Sequence, residues 1–175
     1  DGTQWGTEEL VGLLQRAAAR LQRMEDGPRL LVGSLSLRGG GRMPPHASHQ
    51  SGRDADVSIF MSDLDHAPVE PARFVQLSEG TACGRDGGNT YCIDPRRTFL
   101  FLVALLEDEI ARVRFVLIAG DLRQLVLAAG RPPHGAAGRL PRGQEGTAPP
   151  HGRASPPHPP PPRVGCPEGD AGCGG

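Results

Sequence analysis

Two histidines and two carboxylates fall within eleven residues, His46, His49, Asp54 and Asp56, inside Pro44-Pro45-His46-Ala47-Ser48-His49-Gln50-Ser51-Gly52-Arg53-Asp54-Ala55-Asp56. Imidazole nitrogen and carboxylate oxygen are the donors a catalytic zinc takes, and such a site needs three protein ligands and one open position. Asp56 also opens the alternating run Asp56-Val57-Ser58-Ile59-Phe60-Met61, which reads as a strand. A loop carrying His46 and His49 would then feed a strand whose first residue aims a carboxylate at the same ion. The same residues also read as a solvated turn in which Asp54 caps the chain or pairs with Arg53. Spacing alone leaves the two readings level.

The elements that would position this loop follow from periodicity. Thr7 to Met24 reads as an amphipathic helix. Thr7 is its N-cap, Glu8 and Glu9 favour its first turn, and Leu10, Leu13, Leu14, Ala17, Ala18 and Leu21 form its buried stripe. Asp26-Gly27-Pro28 stops it. Leu30 to Val32 reads as a short strand, followed by the Gly39-Gly40-Gly41 loop. Met61 to Gly80 is mostly connection, with an extended stretch at Arg73 to Leu77. Cys83 to Asp94 reads as a hairpin or a disulfide-closed turn. Arg97 to Glu109 is a second helix burying Phe101, Leu102, Leu105 and Leu106, and Val113 to Ile118 is a core strand. Leu122 to Ala129 is a short third helix ended by Gly130. No nucleotide-binding βαβ fingerprint is present. The fold class expected is α+β: a single domain with a small, mainly antiparallel sheet flanked by helices, followed by an irregular proline-rich C-terminal segment.

Composition bounds the function. The 175 residues suffice for one domain with a sizeable core, and the formal net charge of -1 supplies no field that draws in nucleic acid. All 19 basic residues are arginine. No stretch approaches the roughly 20 apolar residues of a membrane span. Asp1 begins in mature-looking sequence, so an exported form is expected to have its leader removed or left out. Residues 131–162 hold 11 of the 18 prolines and little that builds a core. The expected organisation is a core at 1–130, a proline-rich segment at 131–165, and a cysteine-pair segment at 166–175.

The wording around the histidines is itself informative. Leu30-Leu31-Val32-Gly33-Ser34-Leu35-Ser36-Leu37-Arg38-Gly39-Gly40-Gly41, then Pro44 to Asp56, closely resembles the penicillin-insensitive murein endopeptidases. These are zinc peptidases grouped with lysostaphin-type and D-Ala-D-Ala peptidases. The resemblance runs from about Trp5 to Gly130 and returns at Cys166 to Cys173. It implies a periplasmic zinc enzyme that hydrolyses the D-alanyl–meso-diaminopimelyl crosslink of peptidoglycan stem peptides. It also implies His49 and Asp56 as metal ligands. His46 becomes a catalytic residue acting as base or oxyanion stabiliser, or a further ligand, and Asp54 a support behind a histidine. Some members have a second metal position built from an acid and a histidine three residues on. Asp86 occupies the acid's place here, but Asn89 stands where the histidine would be, so Asp86 reads better as a turn acid. Ser34 stands where the family usually carries an acid. Arg38 and Arg42 could attract stem-peptide carboxylates or be plain solvated charges.

Four cysteines allow three pairings; Cys83 with Cys92 and Cys166 with Cys173 is the simplest. The family carries a close C-terminal pair at the spacing of Cys166 and Cys173. Disulfides fit an oxidising compartment.

One implied ligand is missing. Family members bring a histidine from an H-x-H element a few residues before the C-terminal cysteine pair. Here that place falls on Pro159-Pro160-Pro161, and proline has no ligating atom. A run of histidine codons read one nucleotide out of frame yields CCA prolines, so residues 131–163 read as a frameshifted stretch or, alternatively, as a natural tail with no part in the site. His151 and His158 are the remaining candidates for a third ligand. The expected function is therefore a zinc murein endopeptidase, impaired if the site is incomplete. The alternative is a degenerate, non-catalytic peptidoglycan-binding pseudoenzyme. Oligomeric state is not encoded in any of these patterns.

Overall fold

The computed structural model describes residues 2–46, 48–78, 80–131, 147–148 and 162–164. Helix α1 (Glu8–Met24) begins where expected: Thr7 Oγ1 accepts from the Leu10 amide at 3.3 Å, with Glu8 and Glu9 in the first turn. Its stripe of Leu10, Leu13, Leu14, Ala17 and Leu21 is buried. Helix α2 (Pro95–Leu106) starts two residues before the sequence suggests, because Asp94 caps it through the Arg97 amide at 2.9 Å. Pro95 then occupies the first turn, where a missing N–H costs nothing. Helix α3 spans Gly120–Ala129. Together with Phe60, Met61, Ile93, Val116 and Ile118, the buried faces of the three helices make one apolar cluster.

A four-stranded antiparallel sheet has the order β2-β1-β4-β3, from β1 (Met61–Ser62), β2 (Pro68–Val69), β3 (Cys83–Asp86) and β4 (Asn89–Ile93). The α+β class is as expected. The β3–β4 hairpin turns at Gly87 and Gly88, both at positive φ, as a two-residue loop between right-twisted strands requires. Cys83 and Cys92 face each other in this hairpin and are joined by a disulfide. A second small sheet has the order β6-β5-β7, with β5 at Val113–Leu117. Its partners β6 (Thr147–Ala148) and β7 (Pro162–Val164) lie inside the stretch that composition marks as irregular.

Three local readings change. The strand expected over Leu30 to Val32 is reduced to a short backbone ladder with residues 56–58. In it Val32 bridges Val57, the Gly33 amide donates to Asp56 O at 2.8 Å, and the Asp56 amide donates to Ser34 O at 2.9 Å. The strand expected over Asp56 to Met61 is regular only at its end, where β1 covers Met61–Ser62; earlier in the run Val57 makes the single bridge to Val32, and the rest is extended chain outside any named strand. Gly130 does end α3, but at φ -83 it is right-handed rather than the left-handed residue of a glycine cap. The Phe99 ring lies 2.2 Å from where a Cβ would stand, so close approach accounts for the glycine.

Candidate metal centre

The ladder between residues 31–34 and 56–58 fixes the backbone of Asp56 on both sides, through its amide and its carbonyl. The loop carrying the histidines is tied down separately. The His46 amide donates to Met43 O at 2.8 Å, across the turn that contains the cis Pro44–Pro45 bond. Further along, the Gly41 amide donates to Gln50 O at 2.8 Å and the Thr7 amide to Gly52 O at 2.9 Å. The loop is thereby fastened to the start of α1 and to the glycine-rich turn, neither of which carries a ligand.

His46, His49 and Asp56 come together, each offering one ligand atom, with these atoms all within 4.8 Å of one another. His49 Nε2 is 3.3 Å from Asp56 Oδ1, and His46 Nδ1 is 3.5 Å from Asp56 Oδ2. The two imidazole rings lie 4.5 Å apart at a tilt of 50°. Donors about 2.0–2.1 Å from a tetrahedral zinc lie about 3.3–3.4 Å from each other. The two histidine–carboxylate spacings, one to each Asp56 oxygen, are near that length and longer than a good charged hydrogen bond of about 2.7–2.9 Å, while the three ligand atoms as a set lie within 4.8 Å.

The ring orientation of His49 points the same way. His49 is 2% exposed, and its Nδ1 lies 2.8 Å from the Leu35 carbonyl oxygen. A carbonyl only accepts, so Nδ1 carries a proton and Nε2 is the nitrogen turned toward Asp56. A metal-binding imidazole is usually set in this way, by the hydrogen bond of its other nitrogen. His46 is more open, at 30% side-chain exposure, so the cluster meets solvent on its side. Burial is the largest influence on the His49 imidazole and disfavours its charge. Asp56, the Leu35 carbonyl and the more distant Asp54 together outweigh it, and the pKa lies above the ordinary histidine value. The surroundings of His49 therefore favour the protonated imidazole when no metal competes for Nε2.

Asp54 is buried at 1% exposure and contributes its charge to His49 without joining the ligand cluster. Asp86 is elsewhere: it sits in the β3–β4 hairpin and pairs with the Arg73 guanidinium, which holds its carboxyl below the usual range. His151, His158, Cys166 and Cys173 lie outside the described residues. His66, whose amide donates to Asp63 O in a turn, takes no part in the cluster.

A feature not anticipated from the sequence is Arg97. It is 1% exposed, and its guanidinium donates to the carbonyls of Glu25 at 2.8 Å and Asp26 at 3.1 Å, closing the end of α1. The same group lies 5.1 Å from the Phe60 ring centroid, next to the strand that leaves the site. Only its position after the capping aspartate hinted that it faces inward.

A sequence model of the penicillin-insensitive murein endopeptidase family matches residues 2–115, a stretch that contains the whole cluster. The chain belongs to that family. Over 64 residues it is 36% identical to the penicillin-insensitive murein endopeptidase of Haemophilus influenzae. That alignment covers 36% of this chain and 22% of the relative. No helix among the described residues is long and apolar enough to cross a membrane.

Proposed function

We propose that this protein is a zinc-dependent murein endopeptidase that cleaves the D-alanyl–meso-diaminopimelyl crosslink between peptidoglycan stem peptides in the periplasm. The observation that supports the proposal is the gathering of His46, His49 and Asp56, each offering one ligand atom within 4.8 Å of the others. Zinc held there would supply a Lewis acid for the scissile carbonyl and a water acidified to a pKa of about 7.

The roles of the chain's own residues follow from their environments. His49 offers Nε2 because Leu35 holds the proton on Nδ1. Asp56 offers a carboxylate fixed by the ladder on either side of it. His46 is the third donor of this chain. Prolines occupy 159–161, where relatives in the resemblance carry their histidine element, and His46 completes the group among the described residues. Spending His46 on coordination leaves no described imidazole at the cluster to accept the attacking water's proton, so turnover is slow relative to an enzyme with a separate base. Losing one such group lowers rates by about 10²–10⁴. The disulfide between Cys83 and Cys92 supports the oxidising compartment.

The test is zinc content with crosslink cleavage. Elemental analysis of the purified protein should give one zinc per chain, and His49→Ala should remove it together with cleavage of crosslinked muropeptides. Full zinc retained in His49→Ala would overturn the ligand assignment. A wild-type chain that holds zinc and binds muropeptides without cleaving them would favour a peptidoglycan-binding pseudoenzyme.

A further inference from the structure

The loop between the two anchored ends of the histidine cluster carries two cations without acidic partners. Leu35, whose carbonyl orients His49, precedes it, and Met43, whose carbonyl takes the His46 amide, follows it. Between them stand Arg38 and Arg42, both exposed. Six arginines elsewhere, Arg16, Arg20, Arg29, Arg73, Arg96 and Arg97, lie within 4.0 Å of a carboxylate. Neither Arg38 nor Arg42 has such a neighbour among the described residues.

Arg38 is nevertheless held in place. Its guanidinium carbon lies 5.1 Å from the centroid of the Trp5 ring, and Trp5 is 46% exposed despite its size. Trp5 is itself fastened to the site segment, since its amide donates to Ser36 O at 3.1 Å and the Leu35 amide donates to Thr3 O at 2.7 Å. Stacking uses the face of a guanidinium and leaves the N–H groups along its edge free to bind a planar oxyanion. An exposed aromatic ring with an oriented, unneutralised arginine is the chemistry that recognises a carboxylate next to an apolar or sugar surface.

We propose that Trp5, Arg38 and Arg42 form the substrate-anchoring subsite of this centre, which binds a free carboxylate of the murein peptide beside the scissile bond. The inference rests on the proposed murein peptidase reading and specifies how substrate is held. The carboxylate has two sources in a stem peptide, the terminal α-carboxyl and a side-chain carboxyl, and both offer the same planar anion.

Trp5 is the chain's single tryptophan, so its fluorescence reports on this subsite directly. The experiment is a titration of the full zinc-loaded chain with a murein tetrapeptide, read by tryptophan emission and repeated with the terminal carboxyl amidated or the side-chain carboxyl amidated. Saturable quenching or enhancement is expected for the free peptide, with affinity reduced about tenfold or more in whichever amidated form removes the recognised group. Arg38→Gln and Arg42→Gln should each weaken binding by a similar factor while zinc content stays at the wild-type level. Arg23→Gln, at an exposed position on α1, should leave affinity unchanged. No saturable response in the wild type, equal affinity for all three peptides, or undiminished affinity in both arginine variants would overturn the proposal. If binding depends on the arginines but the zinc-loaded chain cleaves no crosslink, the peptidase reading falls and the subsite stands. If cleavage proceeds with unchanged KM in Arg38→Gln and Arg42→Gln, the subsite falls and the peptidase reading stands.

Discussion

Replacing Gly40 by alanine should damage both the fold and the metal centre, whereas the same change at Gly39 should do little beyond local strain. Both residues have left-handed backbones, at φ +78 for Gly40 and +83 for Gly39, so both substitutions meet the same conformational cost of about 1–2 kcal/mol. They also share the opposing gain from a less flexible unfolded chain, about 0.4–1 kcal/mol. What differs is the space. A Cβ at Gly39 meets nothing within 4 Å, while one at Gly40 would stand 2.5 Å from the carbonyl oxygen of Gln50. An ordinary carbon–oxygen contact is about 3.3 Å, so one of two backbones must move by about 0.8 Å. Overpacking of that kind costs about 1–3 kcal/mol, and the whole domain has only about 5–15 kcal/mol to lose.

The displaced backbone is not a neutral one. Gln50 follows His49, and its carbonyl accepts the Gly41 amide at 2.8 Å, so pushing it away releases the tie that holds the histidine loop to the glycine turn. Zinc affinity in Gly40→Ala should fall by about tenfold or more, the scale seen when the groups that orient a ligand are lost. Urea denaturation of the metal-free proteins would give the stability difference, and competition with a chromophoric chelator the zinc affinity. Equal shifts in midpoint for Gly39→Ala and Gly40→Ala would refute the close-approach argument. A destabilised Gly40→Ala with wild-type zinc affinity would refute the link to the site.

His46→Ala should lower zinc content and crosslink cleavage in parallel if His46 is the third donor. Wild-type zinc with lost turnover would instead make it the base. Arg97→Leu should cost about 3 kcal/mol or more in urea denaturation, since it strands the Glu25 and Asp26 carbonyls that the buried guanidinium now satisfies. Arg96→Leu, at an arginine whose side chain is 70% exposed, should cost no more than about 1 kcal/mol. A pH dependence follows from Asp108, whose carboxyl is held below its ordinary value first by the Arg16 guanidinium, against the effect of burial, and further by the Ala111 and Ile110 amides. A depressed carboxylate stabilises the fold above its unfolded pKa of about 3.9 and loses that contribution as pH falls through the lower folded value. Asp108→Asn should therefore flatten the acid limb of stability measured between pH 6 and 2; parallel curves for variant and wild type would count against the Arg16 pairing.

The helices were legible because their signals are local. Thr7 with Glu8 and Glu9, and a leucine stripe at helical spacing, specify α1 within one stretch of chain. The Gly87-Gly88 turn likewise specifies the hairpin that brings Cys83 to Cys92. Arg97 was not legible. Its neighbours in sequence describe an ordinary helix start, and its burial depends on carbonyls some 70 residues earlier, at the end of another helix. The ladder under Asp56 is not legible in the sequence for a related reason. Leu30 to Val32 is too short to show a period, and its pairing is carried by backbone groups that any residue possesses. The two short strands beside β5 fall in proline-rich sequence, where composition argues against a core and says nothing of edge pairing.

At the centre itself, residue type and spacing brought out His46, His49 and Asp56 because only side chains with donor atoms can serve, and few exist in that loop. They could not reveal how the His49 ring is oriented. That is decided by the Leu35 carbonyl, which fixes a proton on Nδ1 and leaves Nε2 facing Asp56, the orientation the proposed ligand role needs. Leu35 contributes through its main chain, so its identity carries no trace of the role. Its side chain is chosen by the apolar core, where it is 8% exposed. The position thus couples packing to chemistry: the core holds the Leu35 backbone still, and the still backbone sets the tautomer. A substitution that loosens the core at Leu35 should weaken the metal site without touching any ligand, while a change of equal volume should leave it intact.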